Sequence, residues 1–273
     1  MKTIRFNIIM AFVLALLCTA TIGKAQSTFK QGDVYSKTTR IHASGVLQRG
    51  NQQFNINTAS SISKTYKVTG LTGNGVILTV TTTHIADTVD AFNKRQVYDS
   101  AKPADTSSFI QMALQSLVGK VVTLSIDRSG IITDVNDPDE QYATDTLMTF
   151  AGFNRDQFIT GSRLDLFADY QPAKKSGETW VSHTALDDEK ISTTYTVGES
   201  AEEGRHVSLS VNSTSTGTDQ NSYTNGVLVV DQGSGVILLG AMKTATVSYK
   251  LVNNTASSFS RRTEVLEKCT KMN

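Results

Sequence analysis

Cysteine, proline and tryptophan are scarce: two, three and one among 273 residues. Two cysteines, Cys18 and Cys269, cannot form a disulfide framework, and removal of a leader containing Cys18 would leave a single thiol. Three prolines exclude collagen-like and proline-rich disordered chains. Neither sign of charge is in excess, with 26 Lys and Arg against 25 Asp and Glu, so charge points to no nucleic acid, anionic membrane surface or strongly acidic substrate. Long apolar runs are missing after residue 18; none approaches the ~20 residues that a membrane-crossing helix requires.

Hydroxyl side chains are abundant instead: 36 Thr and 27 Ser make almost a quarter of the chain, a bias that suits exposed faces of β-strands and disfavours a helix bundle. The N-terminus reads as a secretory leader over residues 1–25. Lys2 and Arg5 precede an apolar run from Ile8 to Cys18, and Gly23-Lys24-Ala25 offers small residues for cleavage. Leu16-Leu17 is a poor approach to a lipidated cysteine, so cleavage after Ala25 is expected, with a mature domain of residues 26–273. That domain keeps 23 basic and 25 acidic residues and is expected in the periplasm or the medium, without a membrane span.

Alternation dominates the rest. From Gln53 to Thr69 the even positions are Phe54, Ile56, Thr58, Ser60, Ile62, Lys64, Tyr66 and Val68, a period of two far longer than an ordinary strand. The pattern recurs over Val76 to Ile85, at Val122/Leu124/Ile126, at Val207/Leu209/Val211 and at Ala245/Val247/Tyr249/Leu251, spacings that suit an antiparallel meander. On this reading His84 shares the covered face of Leu78 and Val80. Two stretches depart from the period. Thr106 to Gly119 gathers Phe109, Ile110, Ala113, Leu114, Leu117 and Val118 on one helical stripe between a Thr/Ser cap and a glycine stop. Asp137-Pro138-Asp139-Glu140 then opens a second predicted helix, over 138–152, that buries Ala143, Leu147, Phe150 and Ala151.

The expected fold is therefore mainly β, of α+β type: a large curved antiparallel sheet or open half-barrel with two helices packed on one face. A weak echo divides the chain into halves, 26–155 and 156–273, either two related β-lobes sharing one sheet or core or two stretches that share common turn chemistry. Lys30-Gln31-Gly32-Asp33-Val34-Tyr35 matches Lys175-Ser176-Gly177-Glu178-Thr179-Trp180, and the hairpin Asp127-Arg128-Ser129-Gly130 resembles Asp231-Gln232-Gly233-Ser234-Gly235. These turns, the leader ending in Lys24-Ala25-Gln26 and the Thr-rich strands resemble secreted bacterial proteins of an uncharacterised family. Their layout is similar to the half-barrels of periplasmic lipoprotein carriers. The resemblance implies an apolar groove between sheet and helices, and it carries no catalytic residue.

Motifs of chemistry are absent. The four histidines, His42, His84, His183 and His206, form no His-x-His or His-Glu-x-x-His pair, so no metal and no cofactor is expected. The acidic run Asp134 to Glu140 fails the calcium-loop pattern at its fifth and sixth positions, where Pro138 and Asp139 stand. Gly233-Ser234-Gly235 lacks the spacing of a nucleophile elbow, and an enzyme is not expected. The most aromatic stretch, Phe150 to Tyr170, reads either as a core joining the two halves or as the mouth of a ligand groove lined by Leu147, Phe150, Phe153 and Trp180. The functional expectation is an exported, non-enzymatic envelope protein that binds a lipid or another apolar or amphipathic small molecule. The alternative is a structural or adhesion module with a filled core whose partner is an envelope protein or a glycan.

Overall fold

The computed structural model describes residues 29–136, 158–186, 189–201, 205–252 and 255–272. The expected leader, Cys18 and the helix expected over 138–152 lie outside these residues.

Twelve strands form one antiparallel sheet. The first half contributes β1 (Val34–Arg49), β2 (Gln52–Thr72), β3 (Gly75–Ala91), β4 (Lys94–Asp99), β5 (Val121–Asp127) and β6 (Ile132–Asn136). The second contributes β7 (Thr179–Leu186), β8 (Glu189–Ala201), β9 (His206–Thr216), β10 (Gln220–Asp231), β11 (Ile237–Val252) and β12 (Thr255–Met272). Across the sheet the order is β6-β5-β3-β2-β1-β12-β11-β10-β9-β8-β7, with β4 beside the far end of β3. β1 and β12 pair in unbroken register from Val34↔Met272 to Arg49↔Ser257, so the chain's two halves are joined at the centre by backbone hydrogen bonds. One expectation is corrected: the described residues hold a single helix, α1 (Phe109–Leu117), rather than two helices on one face, while the two halves share one open sheet.

The physical reason is the length of the strands: β2 runs 21 residues and β12 18, so each hairpin propagates far enough to pair along both sides. α1 is short but well defined. Ser108 caps it by accepting from the Gln111 backbone N–H, and fully buried Leu114 packs on Ile85 and Tyr98.

Both halves begin and turn alike. Gly32 donates to the Val68 carbonyl and Val68 to that of Asp33, while Gly177 donates to Val197 and Val197 to Glu178. The Asp127 carboxylate accepts from the Ser129 N–H and hydroxyl, as that of Asp231 does from Ser234. Gly130 and Gly235 close these hairpins at φ 80° and 74°, a conformation that glycine adopts without a Cβ clash.

A strap, residues 158–170, ties the hairpins together across one face, hereafter the inner face. Ile131 bridges to Arg163 at one end and Phe167 to Val236 at the other. Leu164, Leu166 and Phe167 are buried in the core of Tyr66, Val68, Leu78, Leu124 and Val236, and Ala168 joins that of Trp180, Leu209 and Val230. The aromatic stretch, as far as it is described, thus joins the cores of the two halves.

Two readings of face are corrected by the pairing. Ser63 opposes His84 while Lys64 opposes Thr82, so Thr83 is an extra residue; this bulge shifts the parity of β3 and turns His84 to the outer face, where it meets Asp99 at 3.1 Å. In β11 the apolar set Val247 and Tyr249 is 40% and 65% exposed, whereas Thr246 is 5% exposed. Hydroxyls face inward there and apolar groups outward.

Candidate functional site

Register assigns the inner face to rows that run across the strands. Nearest the strap the flanking strands β3, β5, β9 and β10 are apolar, with Leu78, Leu124, Leu209 and Val230 fully buried. The next row contains Asp87, Ser60, Ile41, Val265, Met242, Gly226, Val211, Tyr195 and Trp180. Beyond it lies Thr58, Ala43, Thr263, Thr244, Thr224, Ser213, Thr193 and Ser182, a row in which six neighbouring strands, β12 to β7, each present a hydroxyl. Thr193 and Ser213 bond at 2.9 Å and Thr224 and Thr244 at 2.8 Å. The inner face of the second half therefore changes from apolar to hydroxyl within one residue pair.

Under the strap the central strands hold a cluster of charges. Lys37 is 2% exposed; its ammonium donates to the Asp165 carbonyl at 2.7 Å and meets the carboxylates of Asp165 at 3.1 Å and Glu267 at 3.0 Å. Tyr66 donates to Asp165 at 2.9 Å, and the Lys64 ammonium stands 5.7 Å from the centre of the Phe158 ring. Burial raises the Asp165 carboxyl, but the charges of Lys37 and Lys64, with bonds from Lys37 and Tyr66, prevail and hold it below the usual range. Lys37 likewise is raised above the ordinary value, because attraction to Asp165 and Glu267 exceeds its desolvation. Nearby Cys269 is buried and free, its thiol pushed up to about 11, chiefly by burial. This cluster fastens the strap; a buried, fully paired lysine is no acid or base for chemistry.

A second polar group lies on β3 between Ile85 and Val89, the residues that pack with α1. Asp87, 4% exposed, accepts from the Ser60 hydroxyl at 2.6 Å, and burial pushes its carboxyl up to about 6 against the bonds from Ser60 and Thr88. One row on, the hydroxyls of Thr58 and Thr263 are buried without a hydrogen-bond partner, on either side of Ala43. The Trp180 indole N–H is also buried without a partner.

Of the residues expected to line a groove, Leu147, Phe150 and Phe153 lie outside the described residues. Trp180 is 8% exposed and stacks on Tyr195, ring centres 5.1 Å apart. Pairing alone brings Thr58, Thr263, Asp87 and the hydroxyl row together; the even-position pattern of β2 placed Thr58 and Ser60 inward, but nothing local links them to β12. On the outer face a depression of about 520 Å³ is lined by His42, Ser44, Asn57, Asp90, Arg95 and Arg262 among others. Among the described residues no three His, Cys, Asp or Glu side chains stand together as metal ligands, and no helix is long and apolar enough to cross a membrane.

No known family pattern and no curated protein matches the sequence. Among solved structures the chain is similar to lipovitellin, in a structure concerned with lipid–protein interactions, over 90% of its length at 14% identity with a TM-score of 0.53. It spans 26% of that protein. OccK7 (OpdD) of Pseudomonas aeruginosa aligns with 89% of this chain and all of its own at 8% identity, with a TM-score of 0.28. The lipovitellin likeness is one of fold, a large open antiparallel sheet.

Proposed function

We propose that this chain is an exported, non-enzymatic envelope protein that holds an amphipathic, lipid-like molecule against the inner face of its sheet. The observation that carries the reading is the boundary between Trp180, Tyr195, Val211, Met242 and Val265 in one row and the hydroxyls of Thr193, Ser213, Thr224, Thr244 and Thr263 in the next. A molecule with an apolar body and a polar end is matched by such a step, since each part is desolvated only where the protein replaces the contacts it loses. The likeness in fold to lipovitellin, a protein whose structure concerns lipid binding, supports the same class of ligand.

A second reading, an interaction module, is favoured by the outer face, where Tyr223, Val247 and Tyr249 are 48%, 40% and 65% exposed at the end remote from the strap. Native mass spectrometry of the chain purified from its own envelope separates the two. The carrier reading expects a lipid mass retained on the protein, or taken up from mixed vesicles. A bare chain that takes up nothing, together with a captured protein partner, establishes the module.

A further inference from the structure

An open sheet exposes a row of backbone N–H and C=O groups at each edge, on which a further strand can pair. Among the described residues β4, β6 and β7 have a neighbouring strand on one side only. Two of these edges are blunted. In β6, Ile132 donates to the Ser162 carbonyl at 2.8 Å and accepts from the Gly161 N–H at 2.7 Å, so the strap occupies the start of that edge, and exposed Asp134 follows. In β4, Lys94 and Arg95 are exposed, and the Gln111 side chain of α1 donates to the Val97 carbonyl at 3.3 Å.

β7 has neither device. Its 8 residues, Thr179 to Leu186, include no Lys, Arg, Asp, Glu, Pro or Gly. Val181 is 51% exposed, and His183, Thr184 and Ala185 are exposed beside it. Pairing with β8 tells which backbone groups are left over. Val197 donates to the Glu178 carbonyl, so these two form a hydrogen-bonded pair; such pairs recur at every second residue, and Trp180, Ser182 and Thr184 bond to β8. The N–H and C=O groups of Thr179, Val181, His183 and Ala185 therefore point away from the sheet.

We propose that β7 is the contact of a homodimer, in which the same strand of a second copy adds antiparallel across a two-fold axis at Ser182. The occupant follows from the edges. A head-to-tail chain of copies would join β7 to β6 or β4, which are blunted, whereas β7 on β7 joins two open edges and closes as a pair. Centred on Ser182, Val181 meets the partner's His183 and Thr179 meets the partner's Ala185, so every outward N–H and C=O of the strand is bonded. A register centred on His183 carries Thr179 past the end of the partner's strand and loses those bonds. Charge opposes the contact little, with 26 basic against 25 acidic residues in the chain. The carrier reading neither requires this dimer nor is required by it.

The test is sedimentation equilibrium of the full chain across a wide range of protein concentration. Two paired strands make a small interface, so a reversible monomer–dimer equilibrium is expected with a Kd on the order of 10 µM. His183→Pro deletes an N–H that the single copy leaves unbonded, on the side where an edge strand admits proline, and should weaken the dimer at least about tenfold. Val181→Lys keeps the backbone and should weaken it as well, by bringing two cations to the joint. Ser182→Cys should form an interchain disulfide on mild oxidation, since opposed Cα atoms in such a pair lie about 4.5 Å apart, and His183→Cys should not. A chain that stays monomeric up to about 200 µM, twentyfold above that Kd, overturns the proposal. So does a dimer as tight in Val181→Lys as in the parent, or assembly that grows beyond the pair. Should His183→Pro fail to fold, Val181→Lys and the Ser182→Cys cross-link decide the matter.

Discussion

The two halves of the sheet lay down the same opening turn and the same Asp-Ser hairpin, yet they finish their inner faces differently. In the first half β4 and α1 follow β3, and Leu114, Ile110 and Leu117 cover Ile62, Ile85 and Val89. In the second half β9 continues directly into β10, and the corresponding zone carries Ser213, Thr224, Thr244 and Thr193. One half has closed its face with a helix and the other presents hydroxyls, an asymmetry on a shared scaffold that, under the proposed function, would direct a ligand to the second half.

The sharpest way to break that contrast is to damage the covered half. Leu114 is completely buried between Ile85 and Tyr98, so Leu114→Ala should leave a cavity and cost about 3–5 kcal/mol in chemical denaturation. A loss under 1 kcal/mol would mean that α1 is a loose cover. The strap is next. Lys37→Met keeps the buried stem but removes the cation that Asp165 and Glu267 share, and because Asp165 is 45% exposed and still feels Lys64 the loss should be about 3 kcal/mol, at the low end for a broken buried pair. Faster proteolysis within 158–170 would locate the damage.

Acid separates the two polar groups by sign. The carboxyl of Asp87 is raised, so its contribution is fully present below the ordinary value of 3.8 and is lost as pH rises through about 6. Asp87→Asn should therefore gain on the parent by about 2–3 kcal/mol between pH 4 and pH 7. Asp165 works the other way; its carboxyl is held low, and its contribution is present at neutral pH and lost in acid. The smallest effect belongs to the hydroxyl row: replacing both Thr224 and Thr244 by valine removes a bonded pair together, and stability should change by less than about 1 kcal/mol.

Much of this architecture is legible in the sequence, and the exceptions have causes. The even positions of β2 do face inward from Phe54 to Val68, because a strand pressed on a core has only one register that buries Tyr66 and Val68. Ser108 and the stripe through Leu114 mark α1, shorter by a few residues than expected at its start. The face of β11 was not legible: Val247 and Tyr249 alternate as core residues do, and only pairing with β10 and β12 shows that Thr246 is the residue turned inward. A single bulge residue, Thr83, likewise hides the outward turn of His84. The strap has no period at all, and its tie between Lys37 and Asp165 spans 128 residues, beyond any local pattern. Thr58 and Thr263 share a row, on either side of Ala43, only because the chain's two ends share the centre of the sheet.

Trp180 is the only tryptophan, and it stands beside Tyr195 in the row next to the hydroxyls, so its fluorescence reports on the surface where the ligand is placed. Titration with a monoacylglycerol brominated along its chain tests the placement directly, since bromine quenches indole emission only at close range. The predicted result is saturable quenching of Trp180 that unbrominated monoolein reverses by competition. Saturable binding with emission unchanged would put the ligand elsewhere and contradict the assignment of the second half's inner face.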